Sequence, residues 1–333
     1  MNKINMKILF IGDPHIKTDN NEEVSILLLE LQKKCELHHF DRIIIGGDLM
    51  HYHERIFTQA LNKTLEFVVT LSKYAPVDII VGNHDMINNQ QFLSSHHWMH
   101  VLSHLENVFV IDKPVCRKID DFTFLICPYV FPGRFIEALE TECKEWKTMN
   151  VIFAHQEFKG CKMGAIISKD GDEWKDDNPL VISGHIHDNQ RIGKNIYYPG
   201  TPLQHAFGDM DKRIVCYIDE NGLCTDLPLD VPIKKIINSE IKDLKDIKVK
   251  SNESIKLKLK GTAEECKLFK QTAVYTEYIN KGVKIQFEVG DKSVSMSLKV
   301  NEDTKKKTTF RSILENSVQM DGDTLLLKIY KEL

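Results

Sequence analysis

The chain has 333 residues, of which 42% are hydrophobic and 28% are charged, and a formal net charge of −4. This length allows one sizeable α/β core with a smaller second unit, and the composition excludes a disordered or fibrous protein. No run of about 18 apolar residues is present, so we expect an intracellular, cytoplasmic protein without a membrane partner. Residues 232–333 hold 21 Lys+Arg and 15 Asp+Glu, whereas residues 1–231 hold 23 and 33. The acidic part is not expected to bind a polyanion unaided.

Residues 1–230 alternate short apolar runs with segments of helical periodicity. The apolar runs end at Gly, Asp, His or Asn, and they cover residues 6–11, 42–45, 78–81, 151–154 and 180–183. Between them, apolar side chains recur at helical spacing, which predicts helices over residues 22–37, 57–71 and 135–146. This alternation indicates a layered α/β domain with buried strands, in which polar residues at the strand ends share one site.

Residues 232–295 are interpreted as a second, smaller domain. Residues 232–253 are rich in Lys, Asp and Asn and predict a connection or a weakly structured boundary. Residues 254–260 alternate apolar side chains with Lys256, Lys258 and Lys260, a helical stretch covers residues 262–280, and residues 283–289 alternate again. Together these patterns predict a small α+β cap domain.

A polar spacer precedes a predicted helical tail over residues 305–333. Residues 310–318 and 325–333 have short apolar helical patterns, with Thr309 and Asp323 as N-cap residues. Two interpretations stay open, because these helices could pack on a partner protein or on their own domain.

Metal-binding side chains follow the five apolar strands. They occur in the motifs G-D-P-H, G-G-D, G-N-H-D, an isolated A-H and G-H-I-H, which supply Asp13, His15, Asp48, Asn83, His84, Asp85, His155, His185 and His187. Aspartate, asparagine and histidine together suit Mn²⁺, Fe or Zn²⁺ better than an all-oxygen Mg²⁺ site. The eight cysteines form no C-x-x-C pair and lie outside these motifs, which favours reduced thiols over a zinc or disulfide framework.

Two ions are expected, because the ligands are more numerous than one ion needs. Asp48 stands alone at its strand end and is the natural bridge between the ions. With Asp13 and Asp48 as the carboxylate ligands, two divalent cations would leave a charge of about +2, which attracts a phosphodiester and stabilises an in-line transition state. Such a centre explains how an acidic domain acts on an anionic substrate.

In this order, the motifs resemble those of the calcineurin-like metallophosphoesterases over about residues 6–220. The resemblance implies an α/β fold with a two-sheet β-sandwich flanked by helices. G-D-L-M-H at residues 47–51 and Y-P-G-T-P-L-Q-H-A-F-G-D at residues 198–209 further resemble the SbcD type of double-strand-break-repair nuclease, including its tailed-phage relatives. Protein serine/threonine phosphatases instead carry D-R-G after the second motif, where this chain has M-H-Y-H.

The SbcD-type resemblance implies roles for individual residues. One ion would be held by Asp13, His15, Asp48 and His187, and the other by Asp48, Asn83, His155 and His185, with Mn²⁺ as the expected metal. His84 would protonate the leaving oxygen or stabilise the transition state, with Asp85 orienting its ring, and His51 would contact the scissile phosphate. In the cap domain, Lys256, Lys258 and Lys260 are either a contact to the DNA backbone or an ordinary solvated strand face.

The same resemblance implies a metal-dependent DNA exonuclease or endonuclease subunit of a recombination and double-strand-break repair complex. The expected partners are DNA and an SMC-like SbcC-type ATPase, in a heterotetramer that contains a homodimer of this chain. The tail over residues 305–333 is the expected ATPase-binding segment. The alternatives are a calcineurin-like phosphatase or phosphodiesterase acting on a phosphoprotein or a small nucleotide, and a non-catalytic scaffold. The scaffold is disfavoured because every ligand position is present.

Overall fold

Two six-stranded sheets form the centre of the protein. The computed structural model describes residues 6–244, 247–250 and 252–289. In the first sheet the strands follow the order β14 (Cys224–Pro228), β13 (Ile214–Asp219), β1 (Lys7–Ile11), β2 (Arg42–Ile45), β3 (Val77–Ile80) and β4 (Val108–Ile111). In the second sheet the order is β11 (Gln190–Ile192), β12 (Ile196–Tyr198), β10 (Leu180–Gly184), β7 (Val151–His155), β6 (Phe122–Ile126) and β5 (Val115–Ile119). Strands β1 to β4 run parallel to one another, as do β6, β7, β10 and β12.

The inner faces of the two sheets pack against each other. The buried layer between them contains Ile8, Phe10, Ile44 and Ile80 of the first sheet and Phe124, Ile126, Phe153 and Ile182 of the second. The rings of Phe10 and Phe153 stack across this layer with their centroids 5.8 Å apart. Each fully buried side chain of this size stabilises the fold by about 1.5–3 kcal/mol. The predicted α/β sandwich is confirmed.

Helices cover the outer faces of the sandwich. α1 (Asn21–His38) and α2 (Thr58–Leu71) connect successive parallel strands of the first sheet, and α3 (Phe135–Glu142) lies on the second. The apolar residues that predicted α1 are the ones that it buries against the sheet, namely Val24, Leu27, Leu28, Leu31 and Cys35. The helix predicted over residues 135–146 was too long. Cys143 is extended, and the buried Trp146 begins a separate 3-10 helix, Trp146–Thr148.

A third sheet contains three parallel strands in the order β15 (Ile233–Glu240), β16 (Glu253–Gly261) and β17 (Lys284–Val289). α4 (Ala263–Phe269) and α5 (Ala273–Asn280) contribute to its hydrophobic cluster, which includes Ile255, Leu257, Leu259, Phe269 and Tyr278. The single helical stretch predicted over residues 262–280 is two helices, because the Thr272 side chain accepts the N–H of Tyr275 and caps α5. The sandwich and this small sheet belong to one compact unit.

The prediction of a weakly structured connection over residues 232–253 was wrong in its first half. Ile233–Glu240 form β15, which pairs with β16 along its whole length. β15 is an edge strand whose isoleucines fall on both faces and are mixed with lysines, so it lacks the alternation that predicted β16. Its hydrogen bonds to β16 therefore define this strand more than an apolar face does.

Several further predictions can be compared with the described part of the chain. All eight cysteines are free thiols, and Cys116 is the exposed one. Strands β8 (Lys162–Met163) and β9 (Ile166–Ile167) form a short hairpin that was not predicted. No helix among the described residues combines the length and the apolar character needed to cross a bilayer. The predicted end of the cap domain, residues 290–295, and the predicted tail with Thr309 and Asp323 lie outside the described residues.

Candidate metal centre

Five parallel strands bring their carboxyl ends together at one edge of the sandwich. β1, β2 and β3 are neighbours in the first sheet, and β7 and β10 are neighbours in the second. Parallel strands end on the same side, so the side chains at or just after these ends can meet. They are Asp13, His15, Asp48, Asn83, His155, His185 and His187. The register pairs Gly184 with His155, which places the ligands of the second sheet side by side.

The first group of ligands consists of Asp13, His15 and His187, whose candidate ligand atoms all lie within 4.8 Å of one another. The Nε2 atoms of the two histidines are 3.1 Å apart, and Nε2 of His15 is 3.6 Å from Oδ2 of Asp48. Oδ2 of Asp13 accepts the backbone N–H of His185 at 2.7 Å, but its buried Oδ1 has no hydrogen-bond partner in the described part of the chain. A buried carboxylate oxygen without a partner is costly, and a divalent cation fits this donor set.

The second group consists of Asp48, His155 and His185, again with ligand atoms within 4.8 Å, and Asn83 joins it. Oδ1 of Asn83 is 2.9 Å from Nε2 of His155 and 3.0 Å from Nδ1 of His185. Nδ1 of His155 donates to the carbonyl of Gly46 at 2.7 Å, which points Nε2 into the group. The amide oxygen and the two imidazoles are therefore arranged to share one ion.

Asp48 lies between the two groups. Its Oδ2 faces His15, and its Oδ1 is 3.4 Å from Nε2 of His155, so one carboxylate reaches both. This is the position that a bridging ligand requires. His15, Asp48 and His185 have φ angles of 44°, 47° and 76°. Such left-handed backbone costs roughly 1–3 kcal/mol per residue and clusters at functional sites.

Burial sets the protonation of these ligands. It raises the pKa of Asp13 to about 7, and the charge of Asp48 acts in the same direction. Burial opposes the charged form of His155, but Asp48 and Asp13 outweigh it and raise the pKa of His155 to about 9. Burial lowers the pKa of His185 to about 3 and holds the pKa of His15 well below its usual value, so both rings are neutral. Metal ligands must be unprotonated, and cations entering here would displace the remaining protons.

His51 and His84 stand at the rim of the centre. Their rings are nearly parallel with centroids 5.7 Å apart, and together with His15 they offer three nitrogens within 4.8 Å of one another. The backbone N–H of His84 donates to Oδ1 of Asp48 at 2.8 Å, and its ring Nδ1 donates to the carbonyl of His51 at 2.6 Å. Nε2 of His84 lies 4.0 Å from Oδ2 of Asp48, and the side chain is 29% exposed. The His84 ring is thus both close to the centre and accessible to a substrate.

The prediction that Asp85 orients the ring of His84 was wrong. The carbonyl of His51 holds that ring. The buried Asp85 carboxylate accepts the N–H of Gly82 at 3.0 Å and the indole N–H of Trp98 at 3.2 Å, with the N–H groups of Leu49 and Met50 at 3.4 Å. Asp85 therefore ties the loop that carries Asp48 to the loop that carries Asn83, and acts as a positioning residue.

Two further histidines lie beside the centre and were not predicted. His53 stacks on His84 with the ring centroids 4.4 Å apart. His205 lies against His15 and His187, with ring centroids 4.6 and 5.2 Å away. The sequence signal for His205 is its place in the segment 198–209. That segment stands out for its resemblance to SbcD-type nucleases and not for the histidine within it.

The predicted DNA-contacting lysines lie on β16 of the third sheet and not at the strand ends that carry the candidate metal ligands. Lys256, Lys258 and Lys260 alternate along β16 with the apolar residues that pack on α4 and α5, and so occupy the other face of the small sheet. The register places Ile236 and Lys284 on either side of Lys256. Ile236 packs near Gly208, and Nζ of Lys284 is 5.5 Å from the ring centroid of Phe207. This lysine face (Lys256, Lys258, Lys260 and Lys284) is therefore next to the turn that carries His205.

Comparison with known proteins identifies the family. Residues 6–208 match the family model described as calcineurin-like phosphoesterase. The chain belongs to the calcineurin-like phosphoesterases. It is 47% identical over 280 residues to "Putative phosphoesterase 244L" of Invertebrate iridescent virus 6, which spans 81% of this chain and 99% of that protein. It is 37% identical over 335 residues to "Putative phosphoesterase 078R" of Invertebrate iridescent virus 3, which spans 98% of this chain and 96% of that protein.

Solved structures of distant proteins are also similar to this calcineurin-like phosphoesterase. The hypothetical protein PH1004 from Pyrococcus horikoshii OT3 shares 12% identity over 68% of this chain and 88% of that chain, with a TM-score of 0.38. That likeness is too low to inform the function. Family membership itself assigns hydrolysis of phosphate esters with divalent metal ions, for which the two ligand groups supply the side chains.

Proposed function

We propose that this phosphoesterase is a nuclease that hydrolyses the phosphodiester backbone of DNA with two Mn²⁺ ions. The observation that carries the proposal is the pair of imidazoles of His51 and His84, side by side at the rim of the metal groups. A diester needs one group to hold its non-bridging oxygens and another to protonate the departing sugar oxygen. His51 follows Asp48 in G-D-L-M-H, the segment that resembles the SbcD-type nucleases.

The chain's own residues divide the chemistry between them. Asp13, His15, Asp48 and His187 would hold one ion, and Asp48, Asn83, His155 and His185 the other. When bound, the ions supply Lewis-acid stabilisation of the phosphoryl oxygens and lower the pKa of water. His51 holds the phosphate at the rim. The bond from Nδ1 of His84 to the His51 carbonyl orients the ring, so that its protonated Nε2 donates to the leaving oxygen.

The lysine face offers a path for the DNA backbone away from the reacting phosphate. Through Ile236 and Lys284, this face adjoins the turn at Phe207 and Gly208. Basic side chains on a strand face contact phosphates without reading sequence. This arrangement would compensate for the acidic character of residues 1–231, which opposes binding of a polyanion.

The nuclease assignment is tested with purified protein, Mn²⁺ and linear duplex or single-stranded DNA. We expect cleavage by the wild type and a loss of about 10²–10⁴-fold in His84→Gln, the range for a general acid. His84→Gln should still bind two ions, because the ring makes no bond that the two metal groups need. Unchanged cleavage by this variant would remove His84 from the mechanism, and wild-type protein that turns over phosphomonoesters but no DNA would overturn the nuclease.

The lysine face is tested separately by the salt dependence of DNA binding. Lys256→Ala and Lys284→Ala should each reduce the slope of log K against log salt by about 1, the value for one lost phosphate contact. Lys73→Ala is the matched control, since Lys73 is exposed and precedes β3, on the side of the first sheet away from the strand ends that carry the candidate metal ligands. If the slope of log K against log salt were the same in all variants, the lysines would not contact DNA and the lysine face would be an ordinary solvated strand face.

A second candidate is a phosphodiesterase of a small nucleotide. A cavity of about 580 Å³ opens beside Asp85, and its lining includes Tyr52, Arg55, Ile56, Ile87 and Trp98. The aromatic and aliphatic side chains suit a nucleobase and the Arg55 guanidinium suits its phosphate, while Glu54 adds a carboxylate to the lining. Rapid hydrolysis of thymidine 5′-(p-nitrophenyl phosphate) without cleavage of DNA would favour this candidate.

We also propose that the nuclease works inside the cell with an SMC-like SbcC-type ATPase, as a homodimer within a heterotetramer. The support is the resemblance of residues 47–51 and 198–209 to SbcD-type nucleases, and the apolar helical patterns over residues 310–318 and 325–333. Co-purification of such an ATPase with the full chain, lost on deletion of residues 305–333, is the expected result. An ATPase retained after that deletion would rule out the tail as its binding segment.

A further inference from the structure

His205 lies next to the first metal group, and its ring nitrogens are buried although the residue as a whole is only partly buried. Its ring packs edge-on against His15, with centroids 4.6 Å apart and planes at 78°, and against His187, at 5.2 Å and 66°. Both ring nitrogens are buried, and neither has a hydrogen-bond partner among the described residues. One nitrogen of a neutral imidazole is always a donor, and burying it without an acceptor costs about 1–3 kcal/mol. An aromatic residue with no nitrogen would fill this space at lower cost.

The turn that carries His205 is held in place by hydrogen bonds. Oδ2 of Asp209 accepts the backbone N–H of His205 at 2.8 Å and that of Ala206 at 2.9 Å. The buried Gln204 donates through Nε2 to the carbonyl of Lys234 at 3.2 Å and accepts the N–H of Lys234 through Oε1. These bonds connect the turn to β15, so the ring of His205 is fixed beside the metal ligands.

We propose that His205 is a further functional residue of the first metal group, where it hydrogen-bonds an oxygen bound to the ion of Asp13, His15 and His187. That oxygen belongs to a water or to a phosphoryl group of the substrate. A direct bond to the ion is not assigned, because His205 is absent from the sets of described side chains whose ligand atoms lie within 4.8 Å of one another. The inference rests on the metal-binding role of this group and is independent of whether the substrate is DNA.

Titration of the full chain, stripped of metal, with Mn²⁺ tests the inference. If the oxygen belongs to a water, we expect His205→Phe, which keeps an aromatic ring of similar size, to weaken the binding of one of the two ions by about 10–100-fold, as for other side chains that support metal ligands. The second ion should keep its wild-type affinity. His205→Gln, which retains an N–H donor, should recover part of the loss. His104→Phe is the matched control, since His104 is exposed on the 3-10 helix Trp98–His104.

A second measurement distinguishes the two sources of the oxygen. If the partner is water, the Mn²⁺ titration alone changes in His205→Phe; if it is a phosphoryl group, the inhibition constant of inorganic phosphate against bis(p-nitrophenyl) phosphate rises instead. Wild-type values for both in His205→Phe would overturn the inference. The inference would also be wrong if His205→Phe lowered the affinity for both ions equally and lowered the melting temperature. That result would mean that His205 contributes only to packing. DNA cleavage enters neither readout, so failure of the nuclease proposal leaves this result interpretable.

Discussion

Gly184→Ala isolates the contribution of backbone packing to the metal centre, because it changes no ligand. A Cβ at residue 184 would lie 2.2 Å from Oδ1 of Asp13, 2.3 Å from the carbonyl oxygen of Gly46 and 3.0 Å from Nδ1 of His155. Ordinary contacts begin at 3.4 Å, so the carboxylate of Asp13 must move by roughly 1 Å. Moving it also strains the bond between Oδ2 of Asp13 and the N–H of His185.

Two magnitudes follow for this variant. Overpacking costs about 1–3 kcal/mol of folding free energy, which a domain of this size tolerates. A misplacement near 1 Å at a reacting centre costs about 10²-fold in rate. We therefore expect a folded protein that has lost at least one ion and about 99% of its activity.

The assay combines metal analysis, hydrolysis of bis(p-nitrophenyl) phosphate and thermal unfolding. Gly133→Ala is the control: Gly133 has a φ of 90°, so alanine is strained there, but no atom of the described residues lies within 4 Å of the added Cβ. The control should lose about 1–2 kcal/mol of stability and keep both ions and its rate. The prediction is wrong if Gly184→Ala still binds two ions tightly and keeps a rate within about threefold of wild type. Such a rate corresponds to a change of less than about 1 kcal/mol in the activation free energy.

Three other predictions concern stability, metal and pH. Asp78 is fully buried and forms ion pairs with two arginines. Its Oδ2 lies 2.7 Å from Nη1 of Arg42, and its Oδ1 lies 3.1 Å from Nη2 of Arg117 on the opposite sheet. Asp78→Ala should lower the free energy of unfolding, measured in urea, by about 3 kcal/mol. This is near the lower end of the range for buried ion pairs, because both arginines are partly exposed. A loss below about 1 kcal/mol, the value for an exposed ion pair, would contradict this prediction. Removal of metal with EDTA should abolish hydrolysis and lower the melting temperature, and addition of Mn²⁺ should restore both. Full activity in the presence of EDTA would exclude a metal-dependent mechanism. Burial raises the pKa of the Cys35 thiol from its ordinary 9.0 to about 12, so the unfolded chain loses this proton first and stability falls as pH rises between these values. The slope should be shallower in Cys35→Ala, and an equal slope would remove Cys35 as its cause.

The candidate metal ligands could be identified from the sequence because each one lies at or shortly after the end of an apolar strand. A short apolar run such as residues 42–45 that ends at G-G-D is typical of a buried strand, and the topology rules for parallel strands then place its end beside the others. α1 was predictable for a related reason, since its buried residues repeat at helical spacing. In both cases the information lies within a few consecutive residues.

Features that depend on contacts between distant segments could not be predicted in this way. β15 becomes a strand through its pairing with β16, and its own residues show no clear alternation. The role of Asp85 depends on donors from Leu49 and Trp98, which reach it only in the folded chain. His205 approaches His15 across 190 residues of sequence, and no motif spacing connects the two.

The acidity of residues 1–231 is compatible with an anionic substrate because the candidate metal ligands can bind cations, which make the centre itself positively charged. Without cations, the charge of Asp48 is balanced within the centre by a protonated His155, whose pKa is raised to about 9. Replacing such protons with divalent ions turns the centre cationic without altering the surface. Substrate affinity should then follow metal occupancy more steeply than it follows any single surface lysine. Holding metal occupancy constant while changing Lys256 or Lys284 therefore separates the two sources of phosphate binding.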